Sequence, residues 1–142
     1  DTVLSHSDCA DILALAKSNS VGSLQTALKI YAEQNELKHG IDNIESLRQP
    51  ENVALLDADL LQWPLKLRRW HEGDAFVPFG MNGRKKVSDF LINEKVSLPE
   101  KNRQFVLVSG DDIVWVVGRR IDDRYRVSDR TENILLLRRE II

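Results

Sequence analysis

Two β-branched runs, FVLVS at 105–109 and IVWVV at 113–117, flank Gly110-Asp111-Asp112, and no other stretch limits the fold as tightly. Val and Ile are stiff at χ1, which a pleated strand tolerates better than a helix. A short Gly-containing turn between such runs joins antiparallel neighbours. Residues 105–121 are therefore predicted as a hairpin, with Trp115 as a core side chain. LKLRRW at 65–70 sets Leu65, Leu67 and Arg69 against Lys66, Arg68 and Trp70, the alternation of a strand with one wet face. VALLDADLL at 53–61 reads as a buried strand ending in a turn at Asp57–Asp59. RYRVS at 124–128 and NILLLRREI at 133–141 add two more strands.

Helical spacing is scarcer. Val87, Phe90 and Leu91 fall at i, i+3 and i+4, predicting a helix across DFLINEK that starts near Lys86–Ser88. LPEKNRQ at 98–104 is a turn or a short helical piece, and HEGDAFVPFGMNGRKK at 71–86, with three glycines and a proline, is a long ordered loop. Ser7 or Asp8 can cap a helix over about 9–17. LQTALKIYA at 24–32 alternates as a strand, Gln34-Asn35 is turn-like, and ELKHGI at 36–41 can return as its hairpin partner. The polar stretch DNIESLRQPEN at 42–52 is the expected boundary. The predicted class is α+β, mainly antiparallel strands and hairpins with a few short helices, divided into a small subdomain or linker region at 1–50 and a domain at 51–142.

Composition narrows the class. With 42% apolar and 30% charged residues, a chain of 142 residues can hold one core without staples, and it is neither fibrous nor of disordered composition. No apolar run approaches the roughly 18 residues of a membrane span. A single cysteine, Cys9, excludes an internal disulfide framework and a cysteine-rich zinc site, and favours a reducing compartment. The chain begins at Asp1, its one Met is Met81, and no signal peptide is visible. It reads as a piece of a longer protein, with a processed N-terminus as the alternative.

Catalytic signals are absent. His6, His39 and His71 lie in separate segments without metal-site spacing, Cys9 has no evident partner, and no phosphate-binding glycine motif occurs. Asp111-Asp112 and Asp122-Asp123 sit in predicted turns, where aspartate is favoured by local backbone hydrogen bonding. The charge is more informative. The net charge of −2 splits into −6 over residues 1–63, with four basic side chains against ten acidic, and +4 over 64–142, with sixteen against twelve. An isoelectric point near 5.9 is unlike that of a basic nucleic-acid domain, so any polyanion contact has to use a local patch. Arg68, Arg69, Arg84, Lys85, Lys86, Lys95, Lys101, Arg103, Arg119 and Arg120 supply candidates at strand ends and loops. Trp70 and Phe79 lie near them and are candidates for base stacking, although flanking leucines favour core or rim packing.

From LRRWHEGDAF to GRRIDDRYRV the chain resembles the C-terminal domain of tRNA(Ile)-lysidine synthetases. The likeness rests on Arg68-Arg69, Gly73-Asp74, Phe76, Pro78, Gly80-Met81, Gly83, Lys85-Lys86, Ser88-Asp89-Phe90-Leu91, Lys95, Arg103, the Ile113–Val116 strand and Gly118, Arg120, Ile121 and Asp122, in consistent order. Ser97 stands where many relatives carry proline, so the LPEKN loop looks like a subgroup variant and Arg103 carries more weight than Lys101. Residues 54–64 look like the family's lead-in, and 9–41 fit more loosely as a preceding helix and strand pair.

The resemblance implies a bacterial, cytoplasmic ligase that joins lysine to the C2 carbon of the wobble cytidine in the CAU anticodon of an isoleucine tRNA. ATP adenylates the cytidine first, and the change turns an AUG reader into an AUA reader. It also implies that ATP and Mg bind an N-terminal domain with an SGGxDS loop; no SGG occurs in these residues, so no catalytic residue and no metal site is expected here. What remains is implied to grip tRNA at its acceptor stem, beside its own N-terminal catalytic domain, with no DNA and no membrane as partner. Arg68, Arg69, Arg84, Lys85, Lys86, Lys95, Arg103 and Arg120 are the tRNA-binding candidates, and Gly73, Asp74, Gly80 and Gly83 the loop-forming ones. Asp74 and Asp89 read as structural carboxylates, Asp89 as a partner for Arg68 or Lys85. Two other readings stay open: a module that orders its catalytic domain or a homodimer through apolar edge strands at 113–117 and 134–137, and a free-standing RNA-binding adaptor.

Overall fold

The computed structural model describes residues 2–4, 12–14, 28–36 and 52–141. In chain order the strands are β1 (Thr2–Leu4), β2 (Ile12–Ala14), β3 (Leu28–Glu36), β4 (Val53–Asp57), β5 (Leu65–Arg69), β6 (Ala75–Phe76), β7 (Lys85–Lys86), β8 (Phe105–Ser109), β9 (Asp112–Val116), β10 (Arg120–Ile121) and β11 (Asn133–Ile141). Two short helices, α1 (Val87–Asn93) and α2 (Leu98–Asn102), lie between β7 and β8. One antiparallel sheet runs β1-β5-β8-β9-β10, a second runs β2-β3-β11-β4, and β6 and β7 form a small hairpin. The expected α+β architecture dominated by antiparallel strands is the one observed.

The five-stranded sheet is covered on both faces. Leu65, Leu67, Leu107, Trp115 and Val117 point towards the four-stranded sheet and pack with Ala54, Leu56, Leu135 and Leu137. Val106, Val108, Ile113 and Val116 point the other way, onto Phe76 of the hairpin and Val87, Phe90 and Leu91 of α1. The register slips by one residue between Leu107 and Val108, so Val114 has no residue opposite it. Such a slip lets neighbouring residues face one side, and Val114 and Trp115 both enter the core between the sheets. Phe76 and Phe90 meet edge to face with ring centroids 5.1 Å apart, clamping the hairpin onto the helix.

Several expectations are corrected. Ile12–Ala14, expected in a helix, is a strand paired with β3; the rest of 9–17 lies outside the described residues. β3 continues straight through the expected turn at Gln34-Asn35 because β11 pairs with it over its whole length, from Leu28↔Ile141 to Glu36↔Asn133. A continuous partner strand overrides local turn preference; residues 37–41 lie outside the described residues. The expected strand at 124–128 is instead a single 3₁₀ turn at Asp123–Tyr125, because the Asp122 side chain accepts the Arg124 N–H and bends the backbone. The expected loop at 71–86 contains the β6–β7 hairpin.

The strands at 113–117 and 134–137 are not edges. β9 lies between β8 and β10, and β11 between β3 and β4, so their backbone groups are already paired. The expected boundary near residue 50 falls between strands of one sheet, since β11 has β3 on one side and β4 on the other.

Candidate nucleic-acid interface

The site is built from the β6–β7 hairpin outward. Gly73 turns the chain at φ 95°, a value only glycine adopts without strain. It delivers Asp74 onto Arg68, whose Nη1 and Nη2 donate to the two carboxylate oxygens at 2.8 and 3.0 Å. The His71 amide donates to the same carboxylate at 2.8 Å, and the Asp74 carbonyl accepts the Val87 N–H at 2.9 Å. One residue thus ties β5, the turn and the start of α1 together. Burial pushes the Asp74 carboxyl up, but the Arg68 and His71 hydrogen bonds and the nearby positive charge outweigh it and hold it below its ordinary 3.8.

A depressed folded-state pKa contributes stability that is present above the unfolded value and lost as pH falls through the folded one. Asp74→Asn should therefore lower stability by about 1–2 kcal/mol at pH 7. The difference from the parent should shrink at acid pH, below 3.8, and melting curves at pH 7 and pH 3 check it.

The hairpin loop is fastened to the segment after β9. The Val77 N–H donates to Asp122 Oδ2 at 2.9 Å, and the Gly80 N–H to Asp123 Oδ1 at 3.1 Å. The Phe79 N–H reaches the Ile121 carbonyl at 3.0 Å and the Asp123 N–H the Val77 carbonyl at 2.7 Å. Asp122 is fully buried and also receives Nε and Nη2 of Arg124 at 3.0 and 2.9 Å. The loop closes through a Met81 N–H to Pro78 carbonyl bond of 2.9 Å with Gly80 at φ 90°, which is a type II turn. Gly83 lies outside the left-handed region, with open space around its Cβ position.

Sequence candidates fall into two groups. Arg68 is taken by Asp74. Arg69 donates to the Asn102 carbonyl at 3.1 Å and lies over Phe105 at 5.8 Å. Arg120 lies 3.7 Å from Glu94 and 5.3 Å from the Phe90 ring centre. These three brace the fold. Arg84, Lys85 and Lys86, contiguous at the end of the hairpin, have no side-chain hydrogen bond or ion pair among the described residues, and neither do Lys95 and Arg103. Arg84, Lys86, Lys95 and Arg103 are exposed and Lys85 is half-buried. Lys95 follows α1 in the left-handed conformation, φ 58°. About 10 Å of helix therefore separates it from Lys86.

Asp89 is exposed and does not pair with Arg68 or Lys85; Asp74 takes the arginine because the Gly73 turn faces its carboxylate inward. Trp70 packs on the apolar layer beneath α1, donates to the Lys101 carbonyl at 2.8 Å and carries the Lys101 ammonium over its ring, while Phe79 is open to solvent. Among the described residues no cluster of His, Cys, Asp and Glu could hold a metal ion. Sequence reasoning missed Asp122 as the anchor of the loop; its place in the family pattern was the only signal.

The family model described as "TilS substrate C-terminal domain" matches residues 65–137, more than half of the chain. The chain belongs to this family. The matched TilS substrate C-terminal domain contains the Arg68–Asp74 pair, the hairpin, α1 and Asp122. Curated relatives are named tRNA(Ile)-lysidine synthase. The one from Parabacteroides distasonis is 50% identical over 91 residues, covering 64% of this chain and 21% of that protein. The one from Bacteroides thetaiotaomicron is 42% identical over 86 residues, covering 61% and 20%. The one from Porphyromonas gingivalis is 34% identical over 104 residues, covering 70% and 23%. The chain thus spans about a fifth of the length of the relatives it matches.

Among solved structures, a TilS C-terminal domain superposes with a TM-score of 0.65 at 21% identity, covering 81% of this chain and 85% of that one. An N-terminal fragment of the phenylalanyl-tRNA synthetase β-subunit from Pyrococcus horikoshii gives 0.55 at 15% identity, covering 81% and 39%. At these identities both likenesses concern the fold.

Proposed function

We propose that this chain is the tRNA-holding C-terminal part of a tRNA(Ile)-lysidine synthetase, a cytoplasmic bacterial enzyme that ligates lysine to the wobble cytidine of an isoleucine tRNA with a CAU anticodon. The observation that carries the reading is that the TilS substrate C-terminal domain carries Arg84, Lys85 and Lys86 in one run with no side-chain partner among the described residues, while the arginines before them are bound inward. On this reading ATP and Mg belong to a separate catalytic domain, since these residues hold no phosphate loop. The chain's own contribution is to bind and orient the tRNA.

An A-form stem hides its major-groove edges, so a protein grips it through shape, phosphates and 2′-hydroxyls. Cations on a hairpin whose loop is fastened at 77–80 suit that task, because little of their placement has to be ordered on binding. An isoleucine tRNA and a methionine tRNA can share the CAU anticodon, so telling them apart requires reading another part of the molecule. The chain should bind isoleucine tRNA(CAU) more tightly than elongator methionine tRNA in a direct titration. Equal affinities would remove discrimination from these residues.

A further inference from the structure

We propose that the Phe79–Met81 turn is a stacking platform for an unpaired RNA base, with Arg84, Lys85 and Lys86 taking the phosphates beside it. The proposal rests on the tRNA-holding reading and names what one part of that surface touches.

Phe79 and Met81 are 43% and 41% exposed, two large apolar side chains one residue apart at the loop tip. The exposure is built in. The Phe79 N–H is held by the Ile121 carbonyl, the Gly80 N–H by Asp123 and the Met81 N–H by the Pro78 carbonyl, so the backbone that carries Phe79 is fixed at the loop tip. The neighbouring core has its own aromatic pair, Phe76 on Phe90, and has no need of a third ring. The same hairpin carries three cations, unpaired among the described residues, three to five positions after Met81, so an exposed ring and phosphate-binding groups belong to one hairpin.

That combination fits single-stranded nucleic acid. Bases stack on aromatic faces whatever their identity, and cations beside the ring follow the backbone. A base within a stem has both faces covered by its neighbours, so the occupant is an unpaired nucleotide, such as one in a single-stranded tail. An apolar protein surface would match Phe79 and Met81 but leave the three cations without complementary charge.

The test uses this chain and two RNAs, a hairpin closed by a non-nucleotide linker with a short single-stranded 3′ tail and the same hairpin without the tail. Phe79→Ala should weaken binding of the tailed hairpin by roughly tenfold or more, with little change for the untailed one. Phe79→Trp should keep the affinity and Phe79→Leu should lose it. The salt dependence of binding should stay that of the parent, because no phosphate contact is removed. Melting temperatures should fall by no more than a few degrees, since Phe79 belongs to neither core cluster.

Equal affinity of parent and Phe79→Ala for the tailed hairpin would overturn the platform while leaving the tRNA-holding reading intact. So would an equal loss on both RNAs. Failure of the parent chain to bind either RNA would overturn both.

Discussion

Lys85→Glu/Lys86→Glu should weaken tRNA binding by about a hundredfold at low salt, the largest functional effect expected of any pair of surface changes. Among the described residues neither lysine has an ion pair to lose, so the reversal acts on the partner and not on the fold. Each lost phosphate contact also releases fewer counterions, and the slope of log affinity against log salt should fall by about 0.7–0.9 per contact. The melting temperature should stay near that of the parent, because Lys86 is exposed and the half-buried Lys85 has no side-chain partner among the described residues. Filter binding or anisotropy at several salt concentrations, with a melt beside it, reads all three quantities. A hundredfold loss with an unchanged melt assigns the patch to the RNA. An unchanged affinity removes the patch from the interface.

Asp122→Ala should produce the largest loss of stability, about 3 kcal/mol. The carboxylate is fully buried and accepts from the Val77 amide, the Arg124 amide and two guanidinium nitrogens. Truncation leaves the Val77 N–H buried without an acceptor. Arg124 is partly exposed and regains water, which keeps the effect at the low end for a broken buried pair. For a domain of this size the midpoint should fall by about 10 °C. Asp122→Asn keeps one acceptor for the Val77 N–H and should lose less. Because Asp122 anchors the loop that leads to Arg84–Lys86, Asp122→Ala should also weaken tRNA binding at temperatures where the domain remains folded. A drop in stability with full tRNA affinity would separate the loop anchor from the binding surface.

The contrast between these variants shows what the sequence could reveal. The hairpin at 105–116 was legible because its signal is local: two β-branched runs and a glycine turn lie within a dozen residues. Leu65, Leu67 and the 133–141 strand were legible for the same reason. Ile12–Ala14 and the turn at Gln34-Asn35 were misread because their conformation is set by a partner strand about a hundred residues away in β11, acting directly on β3 and through it on β2. RYRVS was misread because one side chain, Asp122, outcompetes the strand ladder for the local amides. The slip at Val114, which sends two consecutive residues into one core, has no sequence mark.

The candidate site shows the same limit. Composition marked ten basic residues and could not sort them, since sorting depends on where Asp74, Glu94 and the Asn102 carbonyl lie in space. The resemblance supplied the order of the motif and hence the family. The contacts divide its arginines and lysines into those that brace the hairpin and those it presents.

The most direct test of the central claim is a titration of this chain with isoleucine tRNA(CAU) between about 50 and 200 mM salt. Binding should be clear at the low end, with a steep linear fall of log affinity with log salt worth several phosphate contacts. No binding at low salt, or binding indifferent to salt, would contradict the claim that this domain holds tRNA by its phosphates.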